Sequence, residues 1–267
     1  LYHLLLLLPV EITQLQKQRI LSAKEKYVPT SSDLNPNTRF IDNAFVKLVA
    51  ESDEMADYIK ARPINFDVHF PQVKQLLDSI LASKVYEEYM EMETTDRAKD
   101  CEFWRKVMKS IILPSDSLIE MLENGSIYWN DDLEIMGTFA LKTIKQTAAY
   151  NGPLKLLPKF KDDEDANFGI KLFLDTIHNR ETYRGYIDKF IDPKQWDSDR
   201  LAFMDIVIMM VAISEIINFP AIPIPVTMNE YIEIANSYST ARSGQFINGM
   251  LFSIVKYLRS EGIILKE

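Results

Sequence analysis

The chain has 267 residues, 47% of them hydrophobic and 26% charged, the composition of a globular protein long enough for one large domain or two ordinary ones. Its 30 Lys+Arg against 39 Asp+Glu leave a formal charge of −9, which excludes a general coater of nucleic acid and confines any phosphate contact to a local patch. A single cysteine, Cys101, excludes a disulfide framework and fits a reducing, cytoplasmic setting, while 8 glycines against 12 prolines favour helices over hairpins and glycine-rich phosphate loops.

The chain opens at Leu1 and not at Met, and the true N-terminus is expected upstream. The run Leu4 to Leu8 lacks the basic flank and cleavage site of a signal peptide, and Pro9 is expected to end it. From Phe45 to Ile59 the apolar residues keep the 3.6-residue period of one helix, stopped by Pro63. Val73 to Tyr89 carry a second stripe and Trp104 to Ile112 a third, which ends before Pro114. Ser115 is the expected N-cap of a short helix closing at Gly125. Leu133 to Thr147 form a longer helix, halted by Asn151-Gly152-Pro153, and that break divides the chain into an enlarged N-terminal helical bundle, 1–152, and a C-terminal bundle, 153–267.

Beyond a connector of lysines and acids, Phe168 to Ile177 and Tyr183 to Ile191 mark two helices, the second stopped by Pro193. Leu201 to Ile217 is strongly apolar but contains Asp205 and Glu215 and falls short of the about 20 apolar residues a bilayer requires. It reads as a buried core helix, and no membrane contact is expected. Phe219 to Val226, with Pro220, Pro223 and Pro225, reads as a stiff extended link. Thr227 and Glu230 then have the spacing of a capping box, opening a helix that runs to about Tyr238. A last helix runs from near Ser243 to Gly262. No period-2 run competes, so the expected fold class is all-α, with two packed helical bundles.

The residues for catalysis are missing. His3, His69 and His178 are far apart and in no metal-binding spacing. Cys101 is flanked by Asp100 and Glu102, which raise a thiol pKa. There is no G-x-S-x-G, G-x-G-x-x-G or P-loop. A magnesium-binding D-D-x-x-D is not completed either, since Ala166 follows Asp162-Asp163 and Ile135 follows Asp131-Asp132 at the third position. Those acids suit helix N-termini. Glu87 to Glu102 reads as a solvated acidic face or a docking surface for a basic protein. The expectation is a non-enzyme without cofactor, metal or small-molecule substrate.

From about Asp163 to Gly262 the order of motifs resembles the NusB family of transcription antitermination factors. Trp196, Asp199 and Arg200 are followed by Met204-Asp205, by Glu215, by the proline link, by Asn229-Glu230-Tyr231-Ile232-Glu233-Ile234-Ala235, and by Ser243-Gly244-Gln245-Phe246-Ile247-Asn248-Gly249-Met250-Leu251. The N-E-x-x-E-x-A helix and the F-[VI]-N-G-x-L segment in this order are specific, and the length is similar to that of the long Bacteroidetes-type members. The resemblance implies an all-α cytoplasmic protein that binds the boxA element of ribosomal RNA transcripts together with NusE, a small-subunit ribosomal protein, within the transcription elongation complex. It implies no catalytic step. Family members contact RNA through an arginine-rich N-terminal helix and through the turn before the F-[VI]-N-G helix. Nothing before Lys17 is basic except His3, so the resemblance puts the first element upstream of Leu1. The second carries over onto Arg242, Ser243, Gln245 and Phe246.

Each of these residues also has a structural reading. Phe246 fits the apolar stripe of its helix as well as a part-exposed aromatic contact. Asn229 and Glu230 fall in the expected capping turn. Gly249 is expected to admit a close helix, and Asn248 to satisfy backbone groups. Arg200, Asp205 and Glu215 lie at the start of or within the most apolar helix, where Arg200 is expected to pair with an acid. Two other functions remain open: a protein-interaction scaffold without RNA binding, suggested by the charge of −9, and the accessory domain of an RNA cytosine methyltransferase, against which stands the lack of any Rossmann-like or catalytic-cysteine segment. The first 152 residues carry no motif that aligns, and are expected to hold the family's N-terminal bundle enlarged by helices around Pro71 to Gly125.

Overall fold

The structure is a computed structural model and describes residues 1–126, 129, 132–191 and 202–266. Asp131, Pro193, Trp196, Asp199, Arg200 and Leu201 lie outside them. The described residues form helices and no strand, so the protein is all-α. The chain divides into two compact units, Leu1–Leu157 and Pro158–Glu267.

The first unit is built around α1 (Tyr2–Lys24), which packs against α3 (Ala44–Ala50), α5 (Phe70–Leu81) and α9 (Leu133–Ala149). A one-turn helix, α2 (Ser31–Leu34), follows α1. Pro9 does not end the leucine run; it sits inside α1. A proline within a helix costs about 3 kcal/mol, but Leu4 to Leu8 and Ile12 are all buried, and each buried leucine is worth roughly 1.5–3 kcal/mol. Packing outweighs the missing hydrogen bond. The Tyr2 hydroxyl pairs with Thr143 Oγ1 at 2.7 Å and accepts the Leu157 N–H at 3.1 Å, tying α1 to α9 and to the segment beyond it.

Two expected helices are each split in two. The Phe45–Ile59 stripe consists of α3 and α4 (Asp53–Ala61), divided where Ser52 Oγ accepts the Met55 N–H at 3.3 Å. Likewise Val73–Tyr89 consists of α5 and α6 (Lys84–Glu91), with Ser83 Oγ accepting from Tyr86 N at 3.1 Å. Both halves of each pair face the same core, so the apolar period continues across the cap and hides the break. Next come α7 (Arg97–Val107), a π-helical turn over Met108–Ile112, and α8 (Asp116–Gly125), capped by Ser115 as its sequence implies. The helices between Pro71 and Gly125 share the core of α1 and α9 and form no separate unit. Buried Asp100 on α7 accepts the Tyr89 hydroxyl and the Ala44 N–H, each at 2.7 Å, and Arg97 caps α9 through the carbonyls of Thr147 and Gly152.

The second unit contains α10 (Asp163–His178), α11 (Arg180–Phe190), α12 (Phe203–Asn218), α13 (Ile224–Tyr238) and α14 (Ser243–Ser260). The other four helices all pack against α12. The acids at the start of α10 act as its cap: Asp162 accepts from Asp165 N at 2.9 Å, and Asp165 from Lys161 N at 2.9 Å. At the far end of the unit Gly262, at φ 69°, closes α14, with Ile263 N bonded to Leu258 O and Gly262 N to Arg259 O. This is the paired carbonyl capping a left-handed glycine allows.

The proline link and the capping box expected before α13 are both corrected. The helix begins one turn earlier, at Ile224, with Pro223 as N-cap and Pro225 in its first turn. A proline there loses nothing, because the first N–H groups of a helix have no intrahelical acceptor. Thr227 is therefore one turn inside the helix, buried, with its hydroxyl lacking any hydrogen-bond partner among the described residues. Asn229 and Glu230 are exposed on α13 and cap nothing.

Candidate functional site

The four-residue turn between α13 and α14, Ser239 to Arg242, and the helix start after it bring the expected contact residues together. Ser239 closes α13, and Arg242 is the N-cap residue of α14. Arg242 and Gln245 are exposed and Phe246 is half-buried against the core of the second unit. Ser243 is buried, 1% exposed, with its side chain turned inward. No side chain caps α14, and its first turn holds no acid. From Ser243 to Ser260 the helix carries Lys256 and Arg259 and no carboxylate, so in an acidic chain this helix is locally basic. Ser243 N donates to the Thr240 carbonyl at 2.9 Å, and a helix start without a side-chain cap, beside a guanidinium, attracts phosphate.

Beneath the turn lies a polar cluster built from three helix ends. Asp205, in the first turn of α12 and 6% exposed, accepts the Ser239 hydroxyl on Oδ1 at 2.5 Å and the Ser243 hydroxyl on Oδ2 at 3.0 Å. Ser243 Oγ in turn accepts the Thr240 N–H at 3.1 Å and lies 2.8 Å from Thr240 Oγ1. Ser239 and Thr240 escape a motif search, although the run Ser239-Thr240-Ala241-Arg242-Ser243 is visibly rich in hydroxyls. One cause is that Asp205 lies 34 and 38 residues away from its partners.

Glu215, three turns along α12 and also buried, has a different partner. Its Oε2 accepts the Tyr231 hydroxyl at 2.9 Å in the middle of α13. Burial, reinforced by this carboxylate, pushes the Tyr231 phenol well above its ordinary value and keeps it a donor. Lys266 ties the final segment to the same end of α12 by donating to the carbonyls of Phe219 and Ile222, each at 2.9 Å, and burial lowers its ammonium pKa.

The glycine roles are also corrected. A Cβ on Gly249 would meet open space, whereas one on Gly244 would collide with the Asn236 side-chain amide. At Gly244, next to the turn, the space a Cβ would take is filled by the exposed Asn236 side chain of α13. Asn248 is exposed on α14. Among the described residues no group of three or more His, Cys, Asp or Glu could hold a metal ion, and no helix is long and apolar enough to cross a membrane.

The sequence model of the NusB family matches residues 132–256. A transcription antitermination protein NusB of Salinibacter ruber is 34% identical over 110 residues, 41% of this chain and 68% of that protein. Its counterpart in Koribacter versatilis is 38% identical over 102 residues, 38% of this chain and 67% of the relative. With the one from Chloroherpeton thalassium the identity is 33% over 106 residues, and the chain spans about half of that relative's length, 49%. No solved structure matches.

Proposed function

The chain belongs to the NusB family, and from that premise we propose that it is an RNA-binding transcription antitermination factor, which binds the boxA element of ribosomal RNA transcripts together with NusE in the transcription elongation complex. The observation that carries the RNA contact is the start of α14: Arg242 and Gln245 are exposed beside half-buried Phe246 on an uncapped helix without a first-turn acid. In this reading Arg242 and the positive start of α14 meet phosphate, Gln245 meets phosphate or a base edge, and Phe246 offers an aromatic edge. Ser243 contributes from below, since its hydroxyl faces Asp205. The reading contains no catalytic step.

Fluorescence anisotropy of a labelled boxA-type RNA and a scrambled control, titrated at fixed salt with and without NusE, tests it. Preference for the boxA-type RNA that sharpens with NusE is expected. Affinity should fall as salt rises, because phosphate contacts release counterions. Equal, weak binding of both RNAs with NusE present sinks the proposal and favours the scaffold reading.

A further inference from the structure

We infer that Asp205 is the positioning residue of the RNA-contacting turn: from inside the unit it fixes the backbone on which Arg242 and Gln245 are presented. The inference rests on the antitermination reading above. Its basis is the way the carboxylate is shared. One oxygen accepts from Ser239, the first residue of the turn, and the other from Ser243, the first residue after it. Only Thr240, Ala241 and Arg242 lie between these anchors, and Thr240 is itself tied to Ser243 through its N–H.

The inside and outside of this turn have separate tasks. Asp205 and Ser243 are buried, while Arg242 and Gln245, the neighbours of Ser243 and Gly244, face solvent. Helical geometry rotates successive side chains by about 100°, so holding Ser243 inward decides where Arg242 and Gln245 point. A buried carboxylate is a costly group, and an aliphatic residue there would serve the core better. The two charge-assisted bonds it makes serve the turn. Glu215 provides the contrast on the same helix: it is equally buried, yet its Tyr231 partner is in mid-helix and holds no loop.

The test compares Asp205→Ala with Tyr231→Phe, which removes a buried hydrogen bond from the same unit without touching the turn. Limited trypsin digestion reads the turn directly, since cleavage after Arg242 requires it to open. In Asp205→Ala that cleavage should rise about tenfold, the response expected when the bonds closing a local segment are lost. Affinity for the labelled boxA-type RNA should fall by a comparable factor, while Tyr231→Phe moves neither. Ser239→Ala, with half the clasp intact, serves if Asp205→Ala does not fold, and should give a smaller change in the same direction. Faster cleavage with unchanged affinity overturns the inference, and so does weakened affinity with unchanged cleavage. If the parent protein binds no RNA, the antitermination reading fails, and faster cleavage after Arg242 then shows that the clasp exists without that function.

Discussion

Each unit is organised around one central helix, and the two helices bury different chemistry. In α1 the buried face is Leu4 to Leu8 with Ile12, and its polar members Tyr2 and Thr13 bond to a neighbouring helix or to the helix's own carbonyls. In α12 the buried face includes Asp205 and Glu215, and each carboxylate reaches a different part of the α13–α14 hairpin. The first unit keeps its polar networks at helix ends, where Asp100, Asn43 and Arg97 satisfy backbone groups. The second also places one at helix ends, but there Asp205 bonds side-chain hydroxyls beneath a surface turn. An interior made of leucine tolerates an irregularity as large as Pro9 because dispersion and burial are non-directional. Charged contacts hold one geometry, so in the second unit the state of the core is tied to the state of the surface.

The largest effect that would sharpen this contrast is Leu6→Ala. Truncating a fully buried leucine should cost about 3 kcal/mol, a substantial share of a domain's stability. Cys101 reports it, since burial pushes its thiol up to about 12 and leaves it inert at mildly alkaline pH. Under increasing urea its reaction with a disulfide reagent should begin earlier in the variant. RNA affinity, measured well below the unfolding transition, should stay unchanged; an equal loss of binding would erase the distinction between the units.

Thr227→Val comes next and has the opposite sign. The buried hydroxyl has no partner among the described residues, so an isosteric methyl should stabilise the protein by about 1 kcal/mol in urea unfolding. A loss of that size would mean that Thr227 caps α13 after all. The smallest effect is at Gly249. With open space around its absent Cβ, alanine should raise stability by roughly 0.5–1 kcal/mol through helix propensity. Gly244→Ala should gain less than Gly249→Ala, because the exposed Asn236 side chain must first swing aside. A drop for both variants would mean that α14 is approached closely on two faces.

Much of this fold was legible because its signals are local. Ser115 and Gly262 act on backbone groups within a few residues, so a helix start and a helix stop could be read from neighbours along the chain. The same locality misled at Thr227 and Glu230, where the capping spacing is present but Pro223 had already begun the helix. It also missed the caps at Ser52 and Ser83, which interrupt stripes that continue on one core face.

The candidate site divides along the same line. The all-α class, the order of the helices and the motif that marks Arg242, Gln245 and Phe246 can be read along the chain, because periodicity, caps and motif spacing are properties of consecutive residues. Which of these side chains face solvent, that Ser243 turns inward, and that Asp205 bonds Ser239 and Ser243 from 34 and 38 residues away become visible when the helices are packed. Burial and carboxylate partnership depend on which helix ends meet in space, and no periodicity along the chain encodes that meeting.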